Sequence, residues 1–280
     1  MDKSNVLIIG YGTVGKNMNK IFTSASICDP FKKCSCVDNK NYSIIKPPCT
    51  FGNGECNLSS IEQKFSVGFV CVPTDKLPDG SADTSIVEEI VQKHKDHCDV
   101  LCIKSTIPPG TTKLLAWKGY PVIFSPEYFG ATAHANAVNN DFVILGGNRK
   151  YTNQVAEAYQ EIFPANLRIL QTDSTTAELV KYGENAWIAT KVTFVNEFYR
   201  LCKKMGVDYR EWRELWLADE RISRSHTFVY DDHPFYQSHC LDKDVPAIIR
   251  EAKDRGIDLK ILMAVVERNE EWKSIFPELF

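Results

Sequence analysis

At 280 residues, with 44% hydrophobic and 25% charged residues, the chain has room for one full α/β domain and a smaller second one. A net charge of −3 with both signs interspersed excludes binding to nucleic acid or a membrane surface by bulk electrostatics, and points to small-molecule partners. No basic stretch followed by an apolar one opens the chain and no apolar run approaches bilayer length, so a cytoplasmic location with ten reduced cysteines is expected.

Asn5 to Ile9 is a short apolar run ending at Gly10-Tyr11-Gly12-Thr13-Val14-Gly15, and Lys16 to Phe22 then reads as helix. Strand, glycine turn and helix in that order form the context in which G-x-G-x-x-G holds a dinucleotide. Gly10 permits the tight turn, Gly12 admits a pyrophosphate close to the backbone, and Gly15 lets helix pack on strand, with Thr13 and Val14 at the helix start. A second strand, Ser26 to Cys28, ends at Asp29, 19 residues after Gly10 and near the spacing of the acid that holds an adenosine ribose. An acid there repels a 2′-phosphate, favouring NAD over NADP, although Lys32 and Lys33 stand nearby.

Residues 32 to 64 are polar and irregular, with Pro47-Pro48 and Gly52-Asn53-Gly54 marking loops. Cys34, Cys36, Cys49 and Cys56 lie there, but a C-x-C pair is not usual zinc spacing and no metal is expected. Strands follow at Ser66 to Val72, Asp99 to Lys104, Tyr120 to Phe124 and Phe142 to Gly146, with helices at Asp83 to Lys95 and Gln154 to Ile162. This beat implies a Rossmann-type doubly wound parallel sheet over residues 1–172. Thr175-Thr176-Ala177-Glu178 reads as a capping box opening a helix to Leu201–Lys204, roughly 28 residues and about 42 Å long. Its apolar positions Leu179, Ile188, Val192, Val195, Phe198 and Leu201 predict more than one buried stripe. Tyr209 to Ala218, Val245 to Arg255 and Leu259 to Trp272 complete an all-helical domain, 173–280.

Val72-Pro73-Thr74 and Lys104-Ser105-Thr106 both follow apolar strands and should lie at the carboxyl edge of the sheet, where ligands bind. The Thr74 and Thr106 hydroxyls either point into a site or cap their own turns. Ser125-Pro126-Glu127 brings a carboxylate to the same edge, able to activate water beside a thioester. Lys181 and Asn185, four apart on the long helix, share a face and could stabilise an oxyanion. Cys240 is a candidate nucleophile, with Lys243 and Asp244 close by. A thiol adduct lets an aldehyde be oxidised a second time, to the acid level.

In chain order, the glycine loop, Val72-Pro73-Thr74, Asp79 to Asp83, Lys104 to Thr111, Ser125-Pro126-Glu127-Tyr128, Ala177 to Lys181, Asn196-Glu197 and Cys240-Leu241-Asp242-Lys243-Asp244 resemble the UDP-glucose and GDP-mannose dehydrogenase family. The resemblance implies oxidation of a sugar C6 alcohol to a carboxylate with two NAD, UDP-glucose being the default substrate and UDP-glucuronate, a polysaccharide precursor, the product. It implies Cys240 as nucleophile, Lys181 and Asn185 on the oxyanion, Asp244 for water positioning or proton transfer, and Thr106 with Glu127 for water activation. Val72, Pro73, Thr74, Ser105, Thr106 and Lys243 would border the cofactor, and Glu127, Tyr128, Phe129, Lys181, Asn185 and Cys240 the substrate. The long helix, 175–204, would form a homodimer core.

Two departures stand out. The family continues into a C-terminal UDP-binding domain, which a short form ending at Phe280 is expected to lack. The family's glycine pair before the cysteine is Gln237 and Ser238 here, and its proline is Asp242. Loop residues Arg221, Arg224, His226, Tyr230 and His233 are candidates to supply phosphate or sugar contacts. Two other readings are a one-step hydroxyacid dehydrogenase that uses Lys181 and Asn185 without the thiol, and a catalytically silent dinucleotide-binding protein.

Overall fold

A computed structural model describes residues 5–29, 64–129, 141–163, 165–231, 234–238 and 240–275. The expectations for Lys32, Lys33, His233 and the four cysteines at 34, 36, 49 and 56 lie outside the described residues. The chain divides into two compact units, one of Met1–Asp75 with Asp83–Lys181, the other of Lys76–Ala82 with Tyr182–Phe280.

Among the described residues the first unit is built on a seven-stranded sheet whose inner strands are largely buried on both faces, as strands covered by helices must be, while its two edge strands keep exposed positions. The strands are β1 (Val6–Ile9), β2 (Ser26–Cys28), β3 (Phe65–Val70), β4 (Cys98–Ile103), β5 (Val122–Phe124), β6 (Phe142–Gly147) and β7 (Arg168–Thr172), in spatial order β2-β1-β3-β4-β5-β6-β7. Period-two alternation sends Val6, Ile8, Val67 and Phe69 to one face, packed on Met18 of α1 (Thr13–Ile21) and on Val155 and Tyr159 of α4 (Arg149–Gln160). It sends Leu7, Ile9, Val70 and Leu101 to the other face, against Val87 and Val91 of α2 (Ser85–His94) and Leu115 of α3 (Thr111–Trp117). The sheet is doubly wound, as expected, with one difference: β5 and β6 pair antiparallel, whereas every other neighbouring pair is parallel. Helix α3 and strand β7 are additions to the sequence reading; seven- and five-residue elements carry too little periodicity to stand out.

Helix α5 (Ser174–Met205) runs 32 residues, and its start corrects the expected capping box. Asp173, not Thr175, caps it, accepting from the Thr176 N–H at 2.9 Å and the Thr176 hydroxyl at 2.6 Å. Glu178 turns away to α3, its carboxylate accepting the N–H groups of Gly110 at 2.5 Å and Thr112 at 2.8 Å. That carboxylate supplies the N-terminal cap that glycine at position 110 cannot, and burial raises its pKa. Of the expected stripe, Val195 is buried and Val192 and Phe198 pack against helical clusters, but Leu179 and Leu201 are half exposed, and the inward positions also include Ala177, Glu178, Lys181, Tyr182, Asn185, Ala186 and Ala189.

In the second unit, α5 is joined by α6 (Tyr209–Trp216), α7 (Leu241–Asp254) and α8 (Lys260–Ile275). Ala189, Tyr236, Val245 and Val265 form one cluster, and Val195, Cys202 and Tyr209 a second, walled by Phe198, Trp212 and Trp216. The 76–82 excursion closes through a Lys76–Ala82 bridge and packs Ala82 with Tyr182, Ala247 and Ile248.

Candidate active site

The strands β1, β3, β4 and β5 end level. Gly10 N–H donates to Cys28 O (2.8 Å), Cys71 N–H to Ile9 O (2.7 Å), Lys104 N–H to Val70 O (2.9 Å) and Ser125 N–H to Ile103 O (2.9 Å). The chain leaves β1 to one side for β2 and returns on the other for β3, so this edge contains a topological switch point. The glycine loop sits there. Gly10 has φ +89°, and a Cβ on it would lie 2.6 Å from Cys71 O; one on Gly15 would lie 2.0 Å from Gly10 O. A Cβ on Gly12 would meet nothing within 4 Å, so the protein itself makes no demand for glycine there. Gly12 is also the N-cap of α1, which has neither a side-chain cap nor an acidic residue in its first turn, where Thr13 and Val14 begin. The Asp29 carboxylate closes the loop from the end of β2, accepting the Tyr11 N–H at 2.6 Å. Open backbone, free helix-start amides and a flanking carboxylate fit a dinucleotide, with the pyrophosphate on the amides and a ribose toward Asp29.

The next loops brace one another. Ser105 Oγ donates to Val72 O at 2.6 Å and Thr74 Oγ1 to Thr106 O at 2.9 Å, so both hydroxyls hold loop backbone; Pro73 is exposed. Thr106 itself is half-buried. Lys104, which sequence reasoning passed over, is buried, its ammonium donating to Ser125 Oγ and Pro126 O, both at 3.1 Å. Burial lowers its pKa, and the neighbouring Cys102, Cys71 and Glu127 oppose that shift. This anchored cation fixes the loop that bears Glu127, whose buried carboxylate accepts the Phe129 N–H at 2.7 Å. Lys181 is buried as well, its Nζ 5.1 Å from the Tyr128 ring centroid. Within the first unit, Glu127, Tyr128 and Lys181 are therefore brought together.

In the second unit, Asn185 Nδ2 donates to Asp244 Oδ2 at 2.6 Å and Lys243 Nζ to Asp244 Oδ1 at 2.5 Å. All three side chains are buried, with Asp244 1% exposed, so the carboxylate has exchanged water for these two donors. Cys240 is the exposed N-cap of α7, its carbonyl accepting the Asp244 N–H at 2.8 Å. The sequence reading begins this helix at Val245, before Pro246; it begins four residues earlier because Ser238 and Asp242 cap it. Burial of Cys28, Cys71, Cys98, Cys102 and Cys202 leaves them as packing groups, with the Cys102 thiol pushed up to about 12. The loop candidates are locally committed: Arg221 pairs with Asp219, Arg224 with Glu214, and His226 Nδ1 lies 2.6 Å from Ser225 Oγ. Tyr230 is half exposed. Among the described residues no group of three or more His, Cys, Asp or Glu is arranged to hold a metal.

Fold and site thus define a dinucleotide-binding α/β unit joined to a helical unit in which an exposed thiol stands at the start of the helix that bears a buried polar cluster. Models of the UDP-glucose/GDP-mannose dehydrogenase family match twice, the NAD binding domain at residues 53–164 and the central domain at 175–271, and the chain belongs to this family. The cofactor of its first unit is NAD. A UDP-glucose 6-dehydrogenase of Rickettsia bellii is 33% identical over 75% of this chain and 50% of its own length, so the chain spans about half of the curated relatives it matches. In fold it is similar to a UDP-glucose dehydrogenase of Pyrobaculum islandicum, at a TM-score of 0.77 and 23% identity over 96% of this chain and 68% of that one. It is also similar to a Mycobacterium tuberculosis 3-hydroxyisobutyrate dehydrogenase, at a TM-score of 0.67 and 11% identity over 97% and 94% of the two chains.

Proposed function

We propose that the protein is an NAD-dependent nucleotide-sugar dehydrogenase that oxidises the C6 alcohol of UDP-glucose to the carboxylate. The observation that carries this reading is the buried Asn185–Asp244–Lys243 cluster on the turn that follows Cys240. A one-step oxidation has no evident use for such a cluster on the helix that an exposed cysteine begins. NAD on the glycine loop supplies the hydride acceptor, once for each of two oxidations. Between them the Cys240 sulfur adds to the aldehyde carbon, and the carbonyl oxygen becomes the oxyanion of a thiohemiacetal. The Lys181 ammonium and the Asn185 amide are the donors for that oxyanion, and Asp244 orients the amide by accepting one of its protons. Loss of the second hydride leaves a thioester. Water, activated by Glu127 with Thr106 and positioned by Asp244, attacks it, releasing the carboxylate and returning the thiol.

The same reading gives UDP-glucuronate as product, for polysaccharide synthesis in the cytoplasm, by a homodimer joined through residues 175–204. Among the described residues no helix is long and apolar enough to cross a membrane. The domain division that suits it is a cofactor domain over 1–172 and a catalytic and dimerisation domain over 173–280. A second reading, one-step oxidation of a hydroxyacid by Lys181 and Asn185, draws on the fold shared with the hydroxyisobutyrate enzyme. NADH formed per UDP-glucose consumed separates the two, measured beside Cys240→Ala. Two NADH per sugar, lost in the variant, is the expected result; full activity in Cys240→Ala rejects the thiol mechanism.

A further inference from the structure

The turn that carries Cys240 is held by a frame that the steps above leave unused. Ser238 Oγ accepts the Leu241 N–H at 3.0 Å, the Asp242 carboxylate accepts the Ser238 N–H at 3.1 Å, and the Asp242 N–H donates to Ser238 O at 3.1 Å. This is a reciprocal capping box wrapped around the cysteine. None of the three bonds could form with glycine at 238 and proline at 242, because glycine has no Oγ and proline has neither an N–H nor a carboxylate.

Helix α8 grips the turn on both sides. The Asn269 side chain takes both backbone groups of Tyr236, accepting its N–H at 3.0 Å and donating to its carbonyl at 3.1 Å. One helical turn on, Lys273 Nζ lies 2.6 Å from Asp242 Oδ1. Asn269 is fully buried, and the Lys273 side chain is 15% exposed. An amide and an ammonium four residues apart thus clamp the chain before and after the exposed thiol.

We propose that Ser238, Asp242, Asn269 and Lys273 are positioning residues for Cys240, fixing its sulfur at the first turn of α7 in register with Asn185 and Asp244. The proposal rests on Cys240 being the nucleophile. An exposed turn would otherwise leave the thiol to sample many positions, and a displacement of about 1 Å at a reacting atom can cost on the order of a hundredfold in rate. The frame does by side-chain hydrogen bonds what close backbone packing does with glycines.

The test uses the full chain with Ser238→Gly, Asp242→Pro, their combination and Lys273→Met, beside Ser238→Thr and Asp242→Glu, which keep the hydroxyl and both carboxylate acceptors. Two quantities are read: kcat and KM with UDP-glucose, and the rate at which iodoacetamide alkylates Cys240. Each disrupting single variant should lose about tenfold in kcat with KM within about twofold. The combination should lose less than the product of the two single losses, since the bonds each one breaks hold the same turn, and the two conservative variants should stay near wild type. Unchanged kcat, a loss confined to KM, or additive losses would overturn the proposal. Lys273→Met leaves the box bonds in place, so it remains informative if Asp242→Pro fails to fold. If Cys240→Ala keeps full activity, or UDP-glucose is not turned over, the parent reading fails and alkylation decides the frame alone. A changed rate in Ser238→Gly, with a change in the combination smaller than the product of the two single changes, then supports it, and wild-type rates in both reject it.

Discussion

Gly10 and Gly12 stand two residues apart in one loop and answer to different demands. At Gly10 a positive φ and the Cys71 carbonyl exclude any side chain, whereas the space beside Gly12 is empty of protein. Gly10→Ala should therefore destabilise the fold by about 1–3 kcal/mol. Gly12→Ala should leave the urea midpoint unchanged and weaken NAD binding at least about tenfold, as titration against both variants would read. If Gly12→Ala binds NAD normally, the pyrophosphate does not sit on that backbone. His94 carries a second residue-scale prediction. Its ring is 1% exposed, and both nitrogens are without a hydrogen-bond partner among the described residues. Burial first, then His97 and Lys93, push its pKa down to about 4 from the ordinary 6.5. The unfolded chain then binds the extra proton more readily, so this contribution is complete above pH 6.5 and is lost as pH falls toward 4. The loss is about 3 kcal/mol, absent in His94→Leu. Urea denaturation at pH 7 and at pH 4.5 checks it, and an equal pH dependence in the variant would refute the assignment.

At the scale of an element, α5 shows how far a hydrophobic pattern can mislead. Val180, Trp187, Phe194 and Leu201 recur every seven residues and are 41–60% exposed, while the inward face carries Glu178, Lys181 and Asn185. Of the apolar positions expected to be buried, Val195 is fully buried and Val192 and Phe198 pack against the helical clusters, but Leu179 and Leu201 are half exposed, and the functional side chains share the inside. An exposed heptad stripe on a helix about 48 Å long suits a second copy of the same helix. Trp187→Glu with Phe194→Glu should weaken self-association by at least about 2 kcal/mol, read by sedimentation as a shift to monomer without loss of helix content. A wild-type chain that sediments as a monomer at micromolar concentration would end the dimer proposal.

For the whole molecule, the sheet and the chemistry at its edge were readable because parallel strands buried on both faces leave unbroken apolar runs, and because a glycine loop has a fixed relation to its flanking strand and helix. What escaped was mostly long-range. The antiparallel turn of β6 depends on β5, and the role of Lys104 on its two acceptors in the Ser125–Pro126 loop. The clamp on Cys240 needs Asn269 and Lys273, about thirty residues downstream. Ser238 and Asp242 did carry a local signal, a capping pair that was noticed only as an absence of glycine and proline. The Glu178 carboxylate has a further bearing, on the order in which the chain assembles. It caps α3 across 66 to 68 residues of sequence, and seven residues are too few to hold a helix unaided. Helix α3 should therefore be among the last parts of the first unit to become protected during refolding, after β1, β3 and β4 have paired and only once the start of α5 has docked. On a ribosome the β4–β5 crossover would remain unfinished until residue 178 had emerged. Pulsed hydrogen exchange at the amides of Leu114 and Lys118 would register protection no earlier than at the start of α5, and earlier protection would show that α3 forms without its distant cap.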